Sequence, residues 1–238
     1  AFGLAGLLGV FRKFYTGRKP LIIFDLDGTL LDTKPVIDRS YLTVFAKYLP
    51  DKVFTDTEKA GFMGPTLEDV FRLYTPEADI DQEIAEYREL NQALQSEVKA
   101  FDHVKETLDW LKENGYQLAI ASSKLEKTVR LGLKANDMED YFDFIIGLED
   151  IEKVKPDKEC IVRTYRALKR GLDNTVYVGD CDTDVLAARN AGVYSVAYVT
   201  NPLKEDGVRA AEPDDLIYDM ADLVEILKED HPWTYNMM

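Results

Sequence analysis

The sequence predicts an α/β fold: a Rossmann-like, doubly wound parallel sheet with an all-helical cap domain inserted into it. Three observations predict it. From Pro20 onward, short apolar runs alternate with amphipathic helical stretches, the pattern of strand–helix–strand units around a parallel sheet. One stretch, from Asp32 to about residue 100, breaks the alternation and carries helical periodicity alone. The first apolar run, Leu21-Ile22-Ile23-Phe24, contains no polar residue, as expected of a strand buried on both faces.

The elements follow in order. Residues 21–24 form the first strand. Helices are expected over 36–48, 57–61, 67–74 and 80–98, divided by Pro50, Gly64-Pro65 and Pro76; they form the cap, with hinges near Thr33 and Phe101. Asp102 is the expected N-cap of a helix running through Asn114, and Gly115 stops it. Strand 117–121 and helix 126–135 come next, then strand 142–146. Pro156 stands where a helix begins, and that helix runs to about residue 170. Strand 176–178 precedes a helix over 184–191, stopped by Gly192. Strand 195–199, a short strand at Leu216-Ile217 and a helix over 220–228 complete the series. The expected division is an N-terminal arm (1–19), an α/β core (20–33 and 100–230), a cap (34–99) and a C-terminal tail (231–238).

Composition bounds the function. Hydrophobic residues make up 46% and charged residues 31% of the 238, an ordinary globular balance that excludes a disordered chain. The formal net charge of -15 argues against a nucleic-acid partner, which calls for a basic stripe. It does not exclude an anionic substrate, because exposed charges beyond about 8 Å are screened at physiological salt. Cys160 and Cys181 show neither metal-ligand spacing nor a disulfide framework, so a reducing cytoplasm is expected. His103 and His231 are isolated and read as surface imidazoles. Residues 1–11 are apolar and Gly-rich, with Arg12, Lys13, Arg18 and Lys19 after them. That order reverses a signal peptide, and the run falls short of the roughly 20 residues that span a bilayer. It reads as a docked or frayed arm, with an interfacial membrane or partner anchor as the alternative.

In an open parallel sheet, ligands bind beyond the carboxyl ends of the strands. Asp25 and Asp27 follow the first core strand, and Ser122 and Ser123 the second. Lys155 lies in the loop after the third, and Asp180 and Asp184 follow the fourth. Carboxylates, hydroxyls and an ammonium from four loops meet one edge, which suits phosphoryl transfer. Phosphate-monoester hydrolysis needs acceleration up to about 10²¹-fold, much of it electrostatic. Magnesium takes hard oxygen ligands, and Asp25 and Asp180 can clamp it. Lys155 supplies a compact positive charge, and Ser122 a hydroxyl donor. Asp25 and Asp27 alternate by two, so their side chains lean the same way. One can attack phosphorus while the other handles the leaving group's proton. Gly28 permits a tight turn, and Thr29 can hold it by a local hydrogen bond.

With these residues in view, Asp25-Leu26-Asp27-Gly28-Thr29-Leu30 resembles the first motif of the haloacid dehalogenase superfamily. Ser122 resembles the second, Lys155-Pro156 the third, and Gly179-Asp180-Cys181-Asp182-Thr183-Asp184 the fourth. The helical insert resembles the family's four-helix cap, and the likeness runs from Pro20 to about Lys228. It is greatest to the phosphoglycolate-phosphatase-like group, especially its bacterial pyrophosphatases. Phe62-Met63-Gly64-Pro65-Thr66-Leu67, Tyr87-Arg88-Glu89-Leu90-Asn91 and Val154-Lys155-Pro156-Asp157 carry that likeness.

The resemblance implies a magnesium-dependent phosphatase of a small phosphorylated metabolite. Asp25 is then the nucleophile, and Asp27 the acid-base that also offers its backbone carbonyl to Mg2+. Ser122 and Lys155 hold the phosphoryl group. Asp180 ligates the metal, and Asp184 ligates it through water or orients the site. Lys158 departs from the family pattern where many relatives carry a second proline, and Cys181 where Ser or Asn is commoner. As a soft thiol beside a hard cation, Cys181 is not assigned as a ligand. Asp27 speaks against dehalogenation, which needs no proton, and Thr29 against a sugar phosphomutase. The mutase and a catalytically inactive binding protein remain the alternatives. Substrate choice falls to the cap, where Gly64, Arg72, Arg88 and Asn91 are candidates, with Ser123 on the core side. Cap closure about Thr33 and Phe101 is expected to exclude water.

Overall fold

The computed structural model describes residues 19–228. Most of the expected arm, the expected tail and His231 lie outside them. Eight strands and ten α-helices are described. The first stretch comprises β1 (Leu21–Phe24), β2 (Leu31–Asp32), α1 (Lys34–Tyr48), α2 (Asp56–Ala60), α3 (Leu67–Tyr74), α4 (Ile80–Ala93) and β3 (Lys99–Ala100). Next come α5 (Val104–Glu113), β4 (Gln117–Ala121), α6 (Glu126–Ala135), β5 (Phe144–Ile146) and α7 (Glu159–Ala167). The last are β6 (Thr175–Gly179), α8 (Asp182–Ala191), β7 (Tyr194–Tyr198), α9 (Glu205–Ala210), β8 (Asp215–Ile217) and α10 (Asp222–Lys228).

Six strands form one parallel sheet in the order β5-β4-β1-β6-β7-β8. The apolar run of β1 has its predicted role. Ile22 and Phe24 pack on one face with Val104 and Leu108 of α5, Val129 and Leu133 of α6, and Leu223 of α10. Leu21 and Ile23 pack on the other with Ile161 of α7 and Ala187 and Ala188 of α8. Alternate side chains of one strand therefore bury against two helical layers, as the period of two requires. The chain is a Rossmann-like α/β protein. Sequence order reverses on the two sides of β1, which makes that strand the switch point where ligands bind.

Helices α1, α3 and α4 enclose a separate apolar cluster around Tyr41, Phe45, Phe62, Phe71 and Tyr87. Tyr41 contacts four of its rings, with centroids between 4.5 and 5.8 Å away. Thr55 and Thr66 start α2 and α3 with reciprocal capping boxes to Glu58 and Asp69, each worth about 1 kcal/mol to its helix. The two chain crossings to this layer are tied together by β2 and β3, an antiparallel pair matching Leu31 with Ala100 and Asp32 with Lys99. Two-residue strands leave no readable period, and the sequence reading missed them, as it missed α9.

Several expected boundaries move. Asp102 does not cap α5: the preceding position is His103, in the left-handed region at φ 60°. Residue 142 lies before β5 rather than in it. The helix expected at Pro156 starts at Glu159, because Val154 to Asp157 form a turn closed by the Asp157 N–H on the Val154 carbonyl (2.9 Å). Helix α8 starts two residues early, because the Asp184 carboxylate reaches back to the Asp180 and Cys181 N–H groups (3.2 and 3.3 Å). His103 is not isolated: its Nδ1 lies 2.8 Å from Asp219. No helix among the described residues is long and apolar enough to cross a membrane.

Candidate active site

The register of β1 and β6 builds the centre of the site. Phe24 lies opposite Val178 and β6 runs one residue further, to Gly179, so Asp25 and Asp180 leave neighbouring strand ends one residue out of step. The Asp25 N–H continues the ladder onto the Val178 carbonyl (2.8 Å). Both carboxylates are buried. Gly28 turns the chain at φ 84°, and a Cβ there would meet Asp180 Oδ2 at 2.6 Å. Only glycine fits that conformation and that approach. The Thr29 N–H bonds back to the Leu26 carbonyl within the turn (3.3 Å), and its hydroxyl donates across the sheet edge to Asp180 Oδ1 (3.4 Å).

Lys155 reaches the same centre from the Val154–Asp157 turn. Its ammonium lies 2.6 Å from Asp25 Oδ1, 2.7 Å from Asp184 Oδ1 and 3.1 Å from the Tyr177 hydroxyl. That hydroxyl, from the middle of β6, donates to Asp184 Oδ1 (3.1 Å). Asp184 Oδ2 accepts from two backbone N–H groups and from the Cys181 thiol (2.9 Å). Both oxygens of Asp184 are thus engaged, one of them with the Lys155 ammonium.

The charges divide accordingly. Burial pushes Asp25 up; Lys155 opposes this, but Asp184, Asp180 and Asp27 add to it, and its pKa stands at about 8. Burial likewise raises Asp180, against the pull of Lys204. Burial would raise Asp184 too, but Lys155 and the Cys181 hydrogen bonds outweigh it and hold this carboxyl below its usual range. Lys155 keeps its proton, because Asp184 and Asp25 overcome the effect of burial. Burial, with Asp184 and Asp180 beside it, holds Cys181 well above the ordinary thiol value, so it remains a thiol.

Ser122 is buried at the end of β4, where its Oγ accepts from the Lys124 N–H (3.1 Å). Asp27 stands at the cleft with Oδ1 2.7 Å from the Lys124 ammonium. Above these groups is a cavity of about 650 Å³, lined by the core residues and by Tyr41, Gly64, Tyr87, Arg88 and Asn91 of the helical stretch between β2 and β3. That volume takes a small metabolite. Ser123, Gly64 and Arg88 are exposed at its wall. Asn91 is buried; its amide donates to the Tyr87 hydroxyl (3.4 Å) and accepts from Gln95 (2.9 Å). Arg72 is not brought to the cavity; it pairs with Glu68, one turn away on the exposed face of α3.

Sequence reasoning missed three participants: Lys124, Lys204 and Tyr177. Lys124 lies two residues beyond Ser122, in the loop after β4, and Lys204 lies in the loop after β7. Its ammonium lies 3.2 Å from Asp180 Oδ2.

The donor chemistry fits a hard divalent cation. Asp25 and Asp180 are buried oxygen donors whose pKa values are raised in part by neighbouring carboxylates, an excess of negative charge that a cation relieves. Asp180, Cys181 and Asp184 also present ligand atoms within 4.8 Å of one another. Cys181 and Asp184 suit that role less, since the thiol donates to Asp184 and Asp184 serves Lys155.

Known proteins resemble this chain in sequence and in fold. The family described as haloacid dehalogenase-like hydrolase matches residues 22–198. Pyrophosphatase PpaX of Halalkalibacterium halodurans is 36% identical over 207 residues, covering 87% of this chain and 95% of that protein. PpaX of Bacillus velezensis is also 36% identical, over 88% of this chain and 96% of the relative. A haloacid dehalogenase-like hydrolase from Bacteroides fragilis superposes with TM-score 0.78 at 27% identity, over 87% of this chain and 100% of the other.

Proposed function

The chain belongs to the haloacid dehalogenase-like hydrolase family, and from that premise we propose that it is a magnesium-dependent phosphatase of a small phosphorylated metabolite, of the phosphoglycolate or pyrophosphate type. The observation that carries this reading is Asp25 at the switch point, with Lys155 2.6 Å from one carboxylate oxygen and Asp180 on the neighbouring strand end. The names of the pyrophosphatase relatives support pyrophosphate as the first substrate to try.

Asp25 attacks phosphorus, the bond to the leaving oxygen breaks, and an aspartyl-phosphate forms. Asp27 gives its proton to the departing oxygen. Asp27 then takes a proton from water, whose oxygen attacks the phosphorus and frees Asp25 and inorganic phosphate. Lys155 and Ser122 hold the equatorial oxygens, and Asp184 with Tyr177 fixes the Lys155 ammonium. Asp25, Asp180 and the Asp27 carbonyl would hold Mg2+, which when bound supplies charge neutralisation between the nucleophile and the anionic substrate. Closure of the cap (34–99) over the core excludes water from the first step. Gly64, Arg88, Asn91 and Ser123, all at the cavity wall, contact the leaving group. A cytoplasmic setting belongs to the same proposal, supported by two thiols that are both buried and free.

The test is phosphate release from a metabolite panel with Mg2+, including pyrophosphate, phosphoglycolate and hexose 1-phosphates, compared by kcat/KM. Asp25→Asn should abolish release. Persistent activity in that variant refutes the nucleophile assignment, and isomerised sugar phosphate without free phosphate replaces hydrolysis by a mutase reaction.

A further inference from the structure

Four carboxylates and three ammonium groups meet in the cleft. Lys155 bridges Asp25 and Asp184, and Lys124 holds Asp27. Lys204 pairs with Asp180, its Nζ 3.2 Å from Oδ2, with the side chains 15% and 3% exposed. Asp180 is one of the two carboxylates assigned to a divalent cation, so two cations have a claim on this group.

The surroundings of Lys204 are fixed while its side chain has somewhere to go. It ends the short turn Pro202–Lys204, just beyond β7 and beside β6. Thr200 Oγ1 donates to the Gly28 carbonyl (2.9 Å) and fastens this loop to the Asp25–Gly28 turn. The cap helix α2 packs against the same turn. Lys204 also lines the cavity, so its ammonium can swing from Asp180 toward a ligand without leaving the cleft. A lysine is suited to such a move: it is a point charge with three rotatable donors on a flexible stem.

Resting on the phosphatase reading, we propose that Lys204 is an exchangeable cation. It neutralises Asp180 in the metal-free protein, yields that carboxylate when a divalent ion is bound, and then donates to the phosphoryl oxygens of the substrate. Lys204 thus sets the affinity for the metal and couples metal occupancy to recognition of phosphate.

The experiment uses the full chain, stripped of metal by chelation, and Mn2+ as probe, with free Mn2+ read by electron paramagnetic resonance. Wild type, Lys204→Met and Lys204→Arg are titrated without phosphate, and the Mn2+-saturated proteins are then titrated with inorganic phosphate by calorimetry. Lys204→Met should bind Mn2+ about tenfold more tightly and inorganic phosphate about tenfold more weakly, the scale of one charge-assisted hydrogen bond. Lys204→Arg, which keeps the charge, should stay near wild type in the first titration. Equal or weaker Mn2+ binding by Lys204→Met overturns the proposal, as does unchanged phosphate binding. A wild type that binds no Mn2+ refutes the phosphatase reading itself, so the two failures are distinguishable. Circular dichroism melts check that each variant folds, and Lys204→Gln replaces the methionine variant if that one does not.

Discussion

The Lys124 ammonium stands 2.7 Å from Asp27 Oδ1, with the two side chains 12% and 19% exposed. The proposed acid-base group is therefore held by a cation from the end of the neighbouring strand. Removing that cation by Lys124→Met frees the Asp27 side chain to rotate away from the leaving group. The expected loss in kcat is about 10- to 100-fold for a substrate with a poor leaving group, within the range of a positioned proton donor. p-Nitrophenyl phosphate needs no proton on departure, so its pre-steady-state burst should fall far less. An equal loss with both substrates would assign Lys124 to phosphate binding instead.

Gly28 meets two constraints at once, a φ of 84° and a virtual Cβ only 2.6 Å from Asp180 Oδ2. Gly28→Ala should destabilise the fold by about 1–3 kcal/mol, the cost of a residue held in a disfavoured backbone region. It should also displace Asp180 and so weaken binding of a divalent ion. Urea unfolding measures the first effect and Mn2+ titration of the folded variant the second. Wild-type affinity for Mn2+ in this variant would show that Asp180 does not hold the ion.

The His103–Asp219 pair gives the stability a pH dependence of known sign. The hydrogen bond from His103 to Asp219 and the carboxylate charge hold the imidazole above its ordinary pKa. A raised folded-state pKa stabilises fully below the unfolded value of about 6.5. That contribution is lost as pH rises through the folded value. The unfolding free energy of wild type relative to His103→Gln should therefore be largest below pH 6 and should decline toward pH 8. The side chains are 54% and 42% exposed, so the difference is small and should shrink further in salt. A difference that grows with pH contradicts the assignment.

What could be read from the sequence follows the range of the interactions involved. Strand β1 and the positions of Asp25 and Asp180 were legible because an unbroken apolar run marks a buried strand and the next polar residue marks its end. The start of α7 was not. Proline favours the first helical turn locally, but here Pro156 belongs to the turn that delivers Lys155 to Asp25 and Asp184. Lys124 and Lys204 resemble any loop lysine in sequence. Only the sheet order, with β4 and β6 flanking β1 and β7 beyond β6, places them over the carboxylates. Between β2 and β3, periodicity located α4 but did not separate exposed Arg88 from buried Asn91. The distinction depends on how α4 packs against α1.

The Tyr41 hydroxyl is buried in the aromatic cluster of α1, α3 and α4 and has no hydrogen-bond partner among the described residues. Burial and the nearby Asp69 raise its pKa, so it remains a neutral phenol. An unsatisfied buried hydroxyl costs about 1–3 kcal/mol, whereas the ring that carries it packs on four neighbours. The two contributions can be separated by mutation. Tyr41→Phe keeps the ring and removes the orphaned group, so thermal or urea unfolding should show unchanged or increased stability. Tyr41→Ala removes the ring as well and should cost about 3–5 kcal/mol, as for other large aromatic truncations. A Tyr41→Phe variant destabilised by more than about 1 kcal/mol would mean that the hydroxyl has a partner in solution. Because Tyr41 lines the cavity, the natural partner to test for is then an ordered water or the bound substrate, by comparing KM for the two proteins.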